Sequence, residues 1–134
     1  MSLQKKKIIA VIDDDRGTRC ALIRLLAALG YDAESFDSAE AFLDVAPTSR
    51  AGCLLVDIQL GDISGIELAR HLATDGFKVP IIFMSGLNDE QVRRQAEAAG
   101  VAFLNKPFSA ALLTEAIAKA TDWRIESPPS GPGA

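Results

Sequence analysis

Short apolar runs alternate along the chain with longer segments of helical period. In one such segment Leu22, Leu25, Leu26 and Leu29 recur at the i, i+3, i+4, i+7 spacing, which places them on one face of an amphipathic helix. The whole pattern predicts a strand–helix unit repeated five times. The predicted strands lie near 8–13, 32–36, 53–57, 80–85 and 101–104, and the predicted helices near 16–29, 39–46, 65–75, 89–98 and 110–120.

Residues that begin and end helices mark the same boundaries. Ser64 and Glu67 have the spacing of a capping box, in which each side chain satisfies a backbone N–H of the first turn. Other predicted helix starts are marked by Ser38, Asn88 and Ser109. Glycines follow three helical segments, as expected where a helix ends in a left-handed residue: Gly30, Gly76 and Gly100.

The strand pattern predicts the fold class. Most predicted strands are continuous apolar runs, which is typical of parallel strands buried on both faces between layers of helices. The segment 32–36 instead alternates and carries charge, so we expect it at an edge of the sheet. The sequence therefore predicts an α/β domain with a doubly wound, five-stranded parallel sheet flanked by five helices.

Composition and chain length predict one domain with short extensions. With 134 residues, 49% of them hydrophobic and 24% charged, the chain resembles an ordinary globular domain. We expect an N-terminal extension over 1–6, the folded domain over 7–122, and a flexible Pro/Gly-rich tail or linker over 123–134. The chain lacks an apolar stretch of the ~18–20 residues that span a bilayer and lacks a secretory signal, which predicts a cytoplasmic protein without membrane contact.

Charge and cysteine usage narrow the function classes. A net charge of −4 gives no electrostatic footprint for nucleic acid, so we expect no direct nucleic-acid binding by this segment. Cys20 and Cys53 follow no metal-ligand spacing and sit in apolar patterns, so both are predicted to be reduced core thiols. His71 has no second histidine or cysteine at ligand spacing and is expected to be a surface or half-buried side chain rather than a metal ligand.

The first predicted helix also carries arginines. We expect Arg16, Arg19 and Arg24 to form a solvated face of this helix. Arg19 lies near enough to the end of the first strand to aid the docking of a partner.

The polar residues that end the apolar runs are the candidate chemistry. Ligands of open α/β sheets bind beyond the carboxyl ends of the strands, and there the chain places five functional side chains: Asp13, Asp14, Asp57, Ser85 and Lys106. Three carboxylates at one edge repel each other unless a cation neutralises them, and Mg²⁺ suits such a partly hydrated oxygen site. A carboxylate beside such an ion can attack phosphorus, while a lysine and a hydroxyl hold the phosphoryl oxygens.

Four segments carry a resemblance to a known family. In this order and spacing they resemble the receiver domain of two-component response regulators over about residues 7–121: Val11–Asp15, Leu54–Asp57, Met84–Gly86 and Phe103–Phe108. The resemblance implies a (βα)5 flavodoxin-like fold with strand order 2-1-3-4-5. It also implies a protein that is not an enzyme beyond catalysing its own phosphorylation and dephosphorylation.

The resemblance implies an acceptor and a metal site. Asp57 would accept a phosphoryl group from a phosphohistidine of a partner sensor histidine kinase or phosphotransfer protein. Asp13, Asp14, Asp57 and the backbone carbonyl of Gln59 would bind Mg²⁺, the cofactor of the reaction.

It also implies a switch and an output. Ser85 and Lys106 match the hydroxyl and the lysine that contact the phosphoryl group, and Phe103 matches the aromatic switch position. Movement of Ser85 and Phe103 would change the partner-binding surface for an output domain or an effector protein.

Two positions depart from the family pattern, and the resemblance implies a cis conformation for one peptide bond. Gly61 stands where many receivers have a proline, so we expect the loop 59–64 to be more mobile and the phosphoryl group more open to water. Ser85 replaces the commoner threonine. The Lys106–Pro107 bond is cis in the family.

Two other function classes remain open at this stage. A haloacid-dehalogenase-like phosphatase would use Asp13 as nucleophile and Asp15 as acid, but it leaves Asp57 without a role and needs a later acidic motif, for which only Asp122 and Glu126 remain. A phosphate-independent, receiver-shaped interaction module is the other alternative. The complete set of site residues favours the phosphorylated switch over both.

Overall fold

The computed structural model describes residues 7–61, 63–86, 90–98, 102–121 and 123, and it contains five strands and five helices. The strands are β1 (Ile8–Ile12), β2 (Asp32–Phe36), β3 (Cys53–Asp57), β4 (Ile81–Ser85) and β5 (Ala102–Asn105). The helices are α1 (Arg16–Ala28), α2 (Ala39–Val45), α3 (Gly65–Thr74), α4 (Glu90–Ala98) and α5 (Ala110–Thr121), with a short 3-10 turn at Ala46–Thr48 after α2.

All five strands form one parallel sheet in the order β2-β1-β3-β4-β5. This confirms the predicted fold class and strand order, and β2 lies at an edge, as its alternating pattern predicts. The register pairs Ile12 with Val56 and Asp57 with Met84. The carboxyl ends of β1, β3 and β4 therefore meet at one edge of the sheet.

Helices cover both faces of the sheet. On one face α1 and α5 bury Leu22, Leu26, Leu113 and Ile117 against the strands. On the other face α2 and α3 bury Phe42, Leu68 and Leu72. A strand that is apolar along its whole length directs apolar side chains to both faces of the sheet. Both faces must therefore be covered by helices.

The helix boundaries follow the capping signals. The capping box of Ser64 and Glu67 is formed at the start of α3, and Ser38 and Ser109 accept hydrogen bonds from backbone N–H groups in the first turns of α2 and α5. Gly30 and Gly76 have the predicted positive φ angles, 95° and 81°. The predictions for Asn88 and Gly100 lie outside the described residues.

Trp123 is the first residue of the predicted C-terminal tail, and the structure describes its position. Its ring stacks on Tyr31 with centroids 6.0 Å apart, and a Cβ atom on Gly52 would come within 2.4 Å of the Trp123 ring. The first residue of the predicted tail therefore packs on the domain. The predicted extension 1–6 and the tail from 124 to 134 lie outside the described residues.

The two cysteines differ in environment. Cys53 is buried in β3, as predicted, and burial raises the pKa of its thiol to about 12. The prediction for Cys20 is wrong, because Cys20 is exposed on α1. It lies two positions before the buried Leu22, and two residues correspond to about 200° around a helix, so Cys20 faces away from the core.

Among the described helices, none combines the length and the apolar character that crossing a bilayer requires.

Candidate functional site

Asp13 directly follows β1 and is held at each of its polar atoms. Its backbone N–H donates to the Phe36 carbonyl oxygen at 3.1 Å, and its carboxylate Oδ1 accepts from the Asp15 backbone N–H at 2.9 Å. Its Oδ2 accepts from the Lys106 ammonium at 2.7 Å, and its carbonyl oxygen accepts from Arg19 Nη1 at 2.8 Å. Asp13 has no exposed surface, so these contacts replace the water that its polar atoms lack.

Asp15 is a helix cap and not a member of the acidic cluster. Its Oδ2 accepts from the Thr18 hydroxyl at 2.7 Å and from the Thr18 backbone N–H at 2.8 Å. These two hydrogen bonds hold the pKa of the Asp15 carboxyl below its ordinary value. Asp14, between the two, is exposed.

Asp57 ends β3 and is nearly buried, with 7% of its surface exposed. Burial raises the pKa of its carboxyl above the ordinary value, although hydrogen bonds from Lys106 and from the Gln59 backbone N–H oppose the rise. The Gln59 N–H donates to Oδ1 at 2.9 Å, and the Lys106 ammonium donates to Oδ2 at 2.8 Å. One carboxylate is therefore fixed in a poorly solvated position at the sheet edge.

Lys106 bridges the two buried carboxylates. Its ammonium contacts Asp13 and Asp57 together, although the three residues come from different parts of the chain. Burial alone would lower the pKa of this ammonium, but its hydrogen bonds to the two carboxylates and their charges outweigh burial and raise the pKa. The Lys106 backbone N–H donates to the Ser85 carbonyl oxygen at 2.8 Å, and the Lys106–Pro107 peptide bond is cis, in keeping with the resemblance noted from the sequence.

The start of α3 packs closely against the end of β3, the strand that ends in Asp57. The Gly65 backbone N–H donates to the Ile58 carbonyl oxygen at 2.8 Å, and a Cβ atom at Gly65 would lie 2.5 Å from the Asp57 carbonyl oxygen. Only glycine permits this approach. In the intervening loop Gly61 has a φ of 91°, an angle that proline, fixed near −65°, cannot adopt.

The donor set fits a hard divalent cation. Asp13, Asp14 and Asp57 each offer a carboxylate oxygen, and these oxygens lie within 4.8 Å of one another. Asp14 is exposed, so the cluster opens to solvent on one side, which suits an ion that keeps part of its water shell. Gln59 reaches this cluster through its backbone N–H to Asp57, while metal binding by its carbonyl stays a prediction.

The two predicted switch residues occupy neighbouring strands. Ser85 ends β4 and is buried with 1% of its surface exposed, and Phe103 is partly buried in β5 opposite Phe83. The sheet thus places Ser85 at the same edge as Asp57. Their roles in switching stay predictions.

Comparison with known proteins decides the family. The response regulator receiver domain model matches residues 9–118. The chain belongs to this family. Among curated relatives, it is 36% identical over 110 residues to the transcriptional regulatory protein TdiR of Thauera aromatica, covering 81% of this chain and 48% of TdiR. It is also 36% identical over 115 residues to the transcriptional regulatory protein FixJ of Rhizobium meliloti, covering 85% of this chain and 56% of FixJ. The chain thus spans about half the length of the curated relatives it matches.

Solved structures give the same answer. The receiver matches a crystal structure of FixJ-N with a TM-score of 0.83 and 33% identity, covering 90% of this chain and 98% of that one. It matches a response regulator receiver protein from Burkholderia phymatum with a TM-score of 0.79 and 36% identity, covering 89% and 98%. The chain is thus a receiver domain of the response regulator type, and such domains are signalling switches rather than classical enzymes. A phosphorylation-activated switch fits this family, and the phosphatase and phosphate-independent alternatives are not favoured.

One residue at this site departs from its prediction. Arg19 is not part of a freely solvated face, because its side chain is partly buried and donates to the backbone of Asp13. Arg16 and Arg24 are exposed, as predicted, and so is His71. The available signal for Arg19 was its position as the fourth residue of α1, from which a long side chain directed toward the helix N-terminus reaches the end of β1.

The raised pKa of Asp57 predicts how its replacement changes the pH dependence of stability. A carboxyl whose pKa is higher in the folded state stabilises the fold fully below its ordinary pKa of about 3.8, and this contribution is lost as pH rises through the folded pKa. In the absence of metal, the unfolding free energy of Asp57→Asn minus that of the wild type therefore increases from pH 4 to neutrality. Urea unfolding across this range in EDTA measures the difference. A decrease of this difference with rising pH would contradict the raised pKa of Asp57.

Proposed function

We propose that Asp57 accepts a phosphoryl group from a phosphohistidine of a sensor histidine kinase or phosphotransfer protein, in a reaction that requires Mg²⁺. The observation that carries this proposal is the Lys106 ammonium held within 2.8 Å of Asp57 and 2.7 Å of Asp13, at an edge where three carboxylates converge. A nucleophile, a cation for the transferred group and a metal-binding cluster then share one site.

The chemistry follows from the charges. A carboxylate oxygen of Asp57 forms the new bond to phosphorus while the bond from phosphorus to the donor imidazole nitrogen breaks, and the ionised nucleophile has no proton to lose. Asp13, Asp14, Asp57 and the Gln59 carbonyl would hold Mg²⁺, which when bound neutralises charge on the phosphoryl oxygens. The Gln59 N–H orients the Asp57 carboxylate, and Lys106 stabilises the negative charge of the transferred group.

Phosphorylation would then change the surface of the domain. A phosphoryl group on Asp57 adds strong acceptor oxygens, which recruit the Ser85 hydroxyl and the Lys106 ammonium. As Ser85 moves toward the phosphoryl group, Phe103 turns inward and alters the face around β5. A shift from 1% to 99% of the active state needs about 5.5 kcal/mol, a size that a few charge-assisted hydrogen bonds provide. Structures with and without a phosphoryl mimic test this, since an unchanged Phe103 rotamer would exclude it.

The lengths and names of the relatives bear on the output of this receiver. Two of the relatives are named transcriptional regulatory proteins, and this chain spans about half their length. We propose that the receiver acts either through an output domain joined to it by the segment 123–134 or, as a stand-alone receiver, on a partner protein, and that the receiver itself does not bind DNA. The cytoplasmic location stays a prediction.

Intact mass spectrometry tests the phosphoryl transfer. After incubation with acetyl phosphate and Mg²⁺ the wild type should gain the mass of one phosphoryl group, and EDTA should prevent the gain. Turnover of a generic phosphate ester without a protein adduct would instead support the phosphatase alternative. The absence of an adduct from both acetyl phosphate and a phosphorylated histidine kinase would support the phosphate-independent module.

A further inference from the structure

We infer that Arg19 is a positioning residue for the metal-binding carboxylates, which it holds in place through the main chain of Asp13. The inference rests on the proposed function, because it assigns to a residue outside the acidic cluster the task of keeping that cluster in its metal-binding arrangement. The contact that carries it joins Arg19 Nη1 to the Asp13 carbonyl oxygen at 2.8 Å.

The location of Arg19 is energetically unfavourable for a cation unless a specific contact offsets the cost. A cation in the first turns of a helix opposes the helix macrodipole, whose N-terminal end is positive. A guanidinium also stays charged at every pH of interest, and this one is partly buried. What offsets these costs is a hydrogen bond to a carbonyl oxygen of a residue with no exposed surface, beside a cluster of carboxylates.

The hydrogen bond from Arg19 to Asp13 involves a different atom of Asp13 from those made by Lys106 and by the Asp15 N–H. The Lys106 ammonium and the Asp15 N–H bind the two carboxylate oxygens, which are the atoms offered to a metal. Arg19 binds the carbonyl oxygen instead and leaves the carboxylate free to exchange partners. It therefore holds the junction of β1 and α1, and with it Asp13 and Asp14, whether or not a metal is bound.

The alternative is that Arg19 acts only through its charge. In that case the guanidinium repels Mg²⁺, and its removal would tighten metal binding. If Arg19 positions the ligands, its removal loosens the junction and weakens metal binding, as loss of groups that orient metal ligands does by about 10–100-fold. The two accounts predict opposite signs for the same measurement.

The test compares Mg²⁺ affinity by isothermal titration calorimetry for the wild type, Arg19→Met, Arg19→Lys and Arg24→Met. Arg24 is exposed on the same helix, so its variant controls for loss of a positive charge and for helix propensity. We expect the Kd for Mg²⁺ to rise about tenfold in Arg19→Met. It should rise less in Arg19→Lys, which keeps a donor on a shorter stem, and change less than twofold in Arg24→Met. Urea unfolding in EDTA identifies the folded variants, and Arg19→Lys carries the test if Arg19→Met does not fold.

Each outcome bears on the inference. A weaker affinity confined to the Arg19 variants supports it. An unchanged or tighter affinity in Arg19→Met, or in Arg19→Lys if only that variant folds, overturns it, and so does an equal loss in Arg24→Met. If the wild type itself neither binds Mg²⁺ nor gains a phosphoryl group, both the proposed function and this inference fail, whereas a competent wild type with unaffected variants overturns the inference alone.

Discussion

Replacing Lys106 by methionine destabilises the metal-free protein by about 3 kcal/mol at pH 7, because removing one partner of a buried ion pair leaves the other charge uncompensated. Here two carboxylates, on Asp13 and Asp57, lose the same cation. We expect the lower part of the usual range, because 22% of the Lys106 side chain is exposed. The same variant should be phosphorylated at least about a hundredfold more slowly, as enzymes are when one stabilising donor is removed.

The pH dependence of the unfolding free energy distinguishes the loss of these ion pairs from a loss of side-chain packing. Because the pKa of Lys106 is raised in the folded state, its contribution to the unfolding free energy is complete below the ordinary lysine pKa of 10.5 and is lost as pH rises through the folded-state pKa. The Lys106→Met variant should not show this loss of stability at alkaline pH. At the acid end the deficit shrinks as Asp57, whose pKa is raised above its ordinary value, becomes protonated. Urea unfolding in EDTA from pH 4 to 11 measures both trends.

An exposed pair on α5 supplies the matched control. Lys119 lies 3.5 Å from Glu115, and both side chains are largely exposed, so Lys119→Met should change the unfolding free energy by less than about 0.5 kcal/mol. Equal stability of Lys106→Met and the wild type at pH 7 would show that the bridging ammonium does not hold the two carboxylates together.

A second large effect is expected for Gly65→Ala at the start of α3. The new Cβ atom would meet backbone atoms at 2.5 Å and 3.0 Å, and backbone cannot move aside as a flexible side chain can. Overpacking of this kind costs about 1–3 kcal/mol, while alanine gains up to about 1 kcal/mol over glycine within a helix. We expect a net destabilisation of about 1–2 kcal/mol and slower phosphorylation, because the atom displaced first is the carbonyl oxygen of Asp57.

Gly17→Ala in α1 is the control for this substitution. A Cβ atom there would make an ordinary 3.4 Å contact with Asp15, so alanine should be neutral or stabilise the helix by up to about 1 kcal/mol. Thermal unfolding of both variants gives the comparison. Two variants of equal stability would show that the close approach of α3 to β3 is not needed at this site.

The fold was predictable because its determinants are local and repeated. Continuous apolar runs in β1, β3 and β4 require burial on both faces, and the segment Asp32–Phe36, which alternates, takes the edge. The differences at boundaries come from single residues: α1 and α3 end before the predicted Leu29 and Asp75, which form their C-caps, and α2 gives way to a 3-10 turn that contains Pro47.

The candidate site was predictable in its members but not in its contacts. The ends of β1 and β3 must lie together in a parallel sheet, which brings Asp13 and Asp57 to one edge. The bridge from Lys106 to both carboxylates spans 93 and 49 residues of sequence, and no local pattern specifies it. The contact of Arg19 with the Asp13 carbonyl oxygen depends on a side-chain conformation, and the exposure of Cys20 depends on its angle around α1.

The most direct measurement of the central claim is to locate the phosphoryl group. The wild type and Asp57→Asn are incubated with acetyl phosphate and Mg²⁺, the adduct is trapped by borohydride reduction, and the modified residue is identified by peptide mass spectrometry. The account predicts one modification, at Asp57, that is absent from the variant. A modification at Asp13, or an equal modification of the variant at another residue, would contradict the assignment of Asp57 as the phosphoryl acceptor.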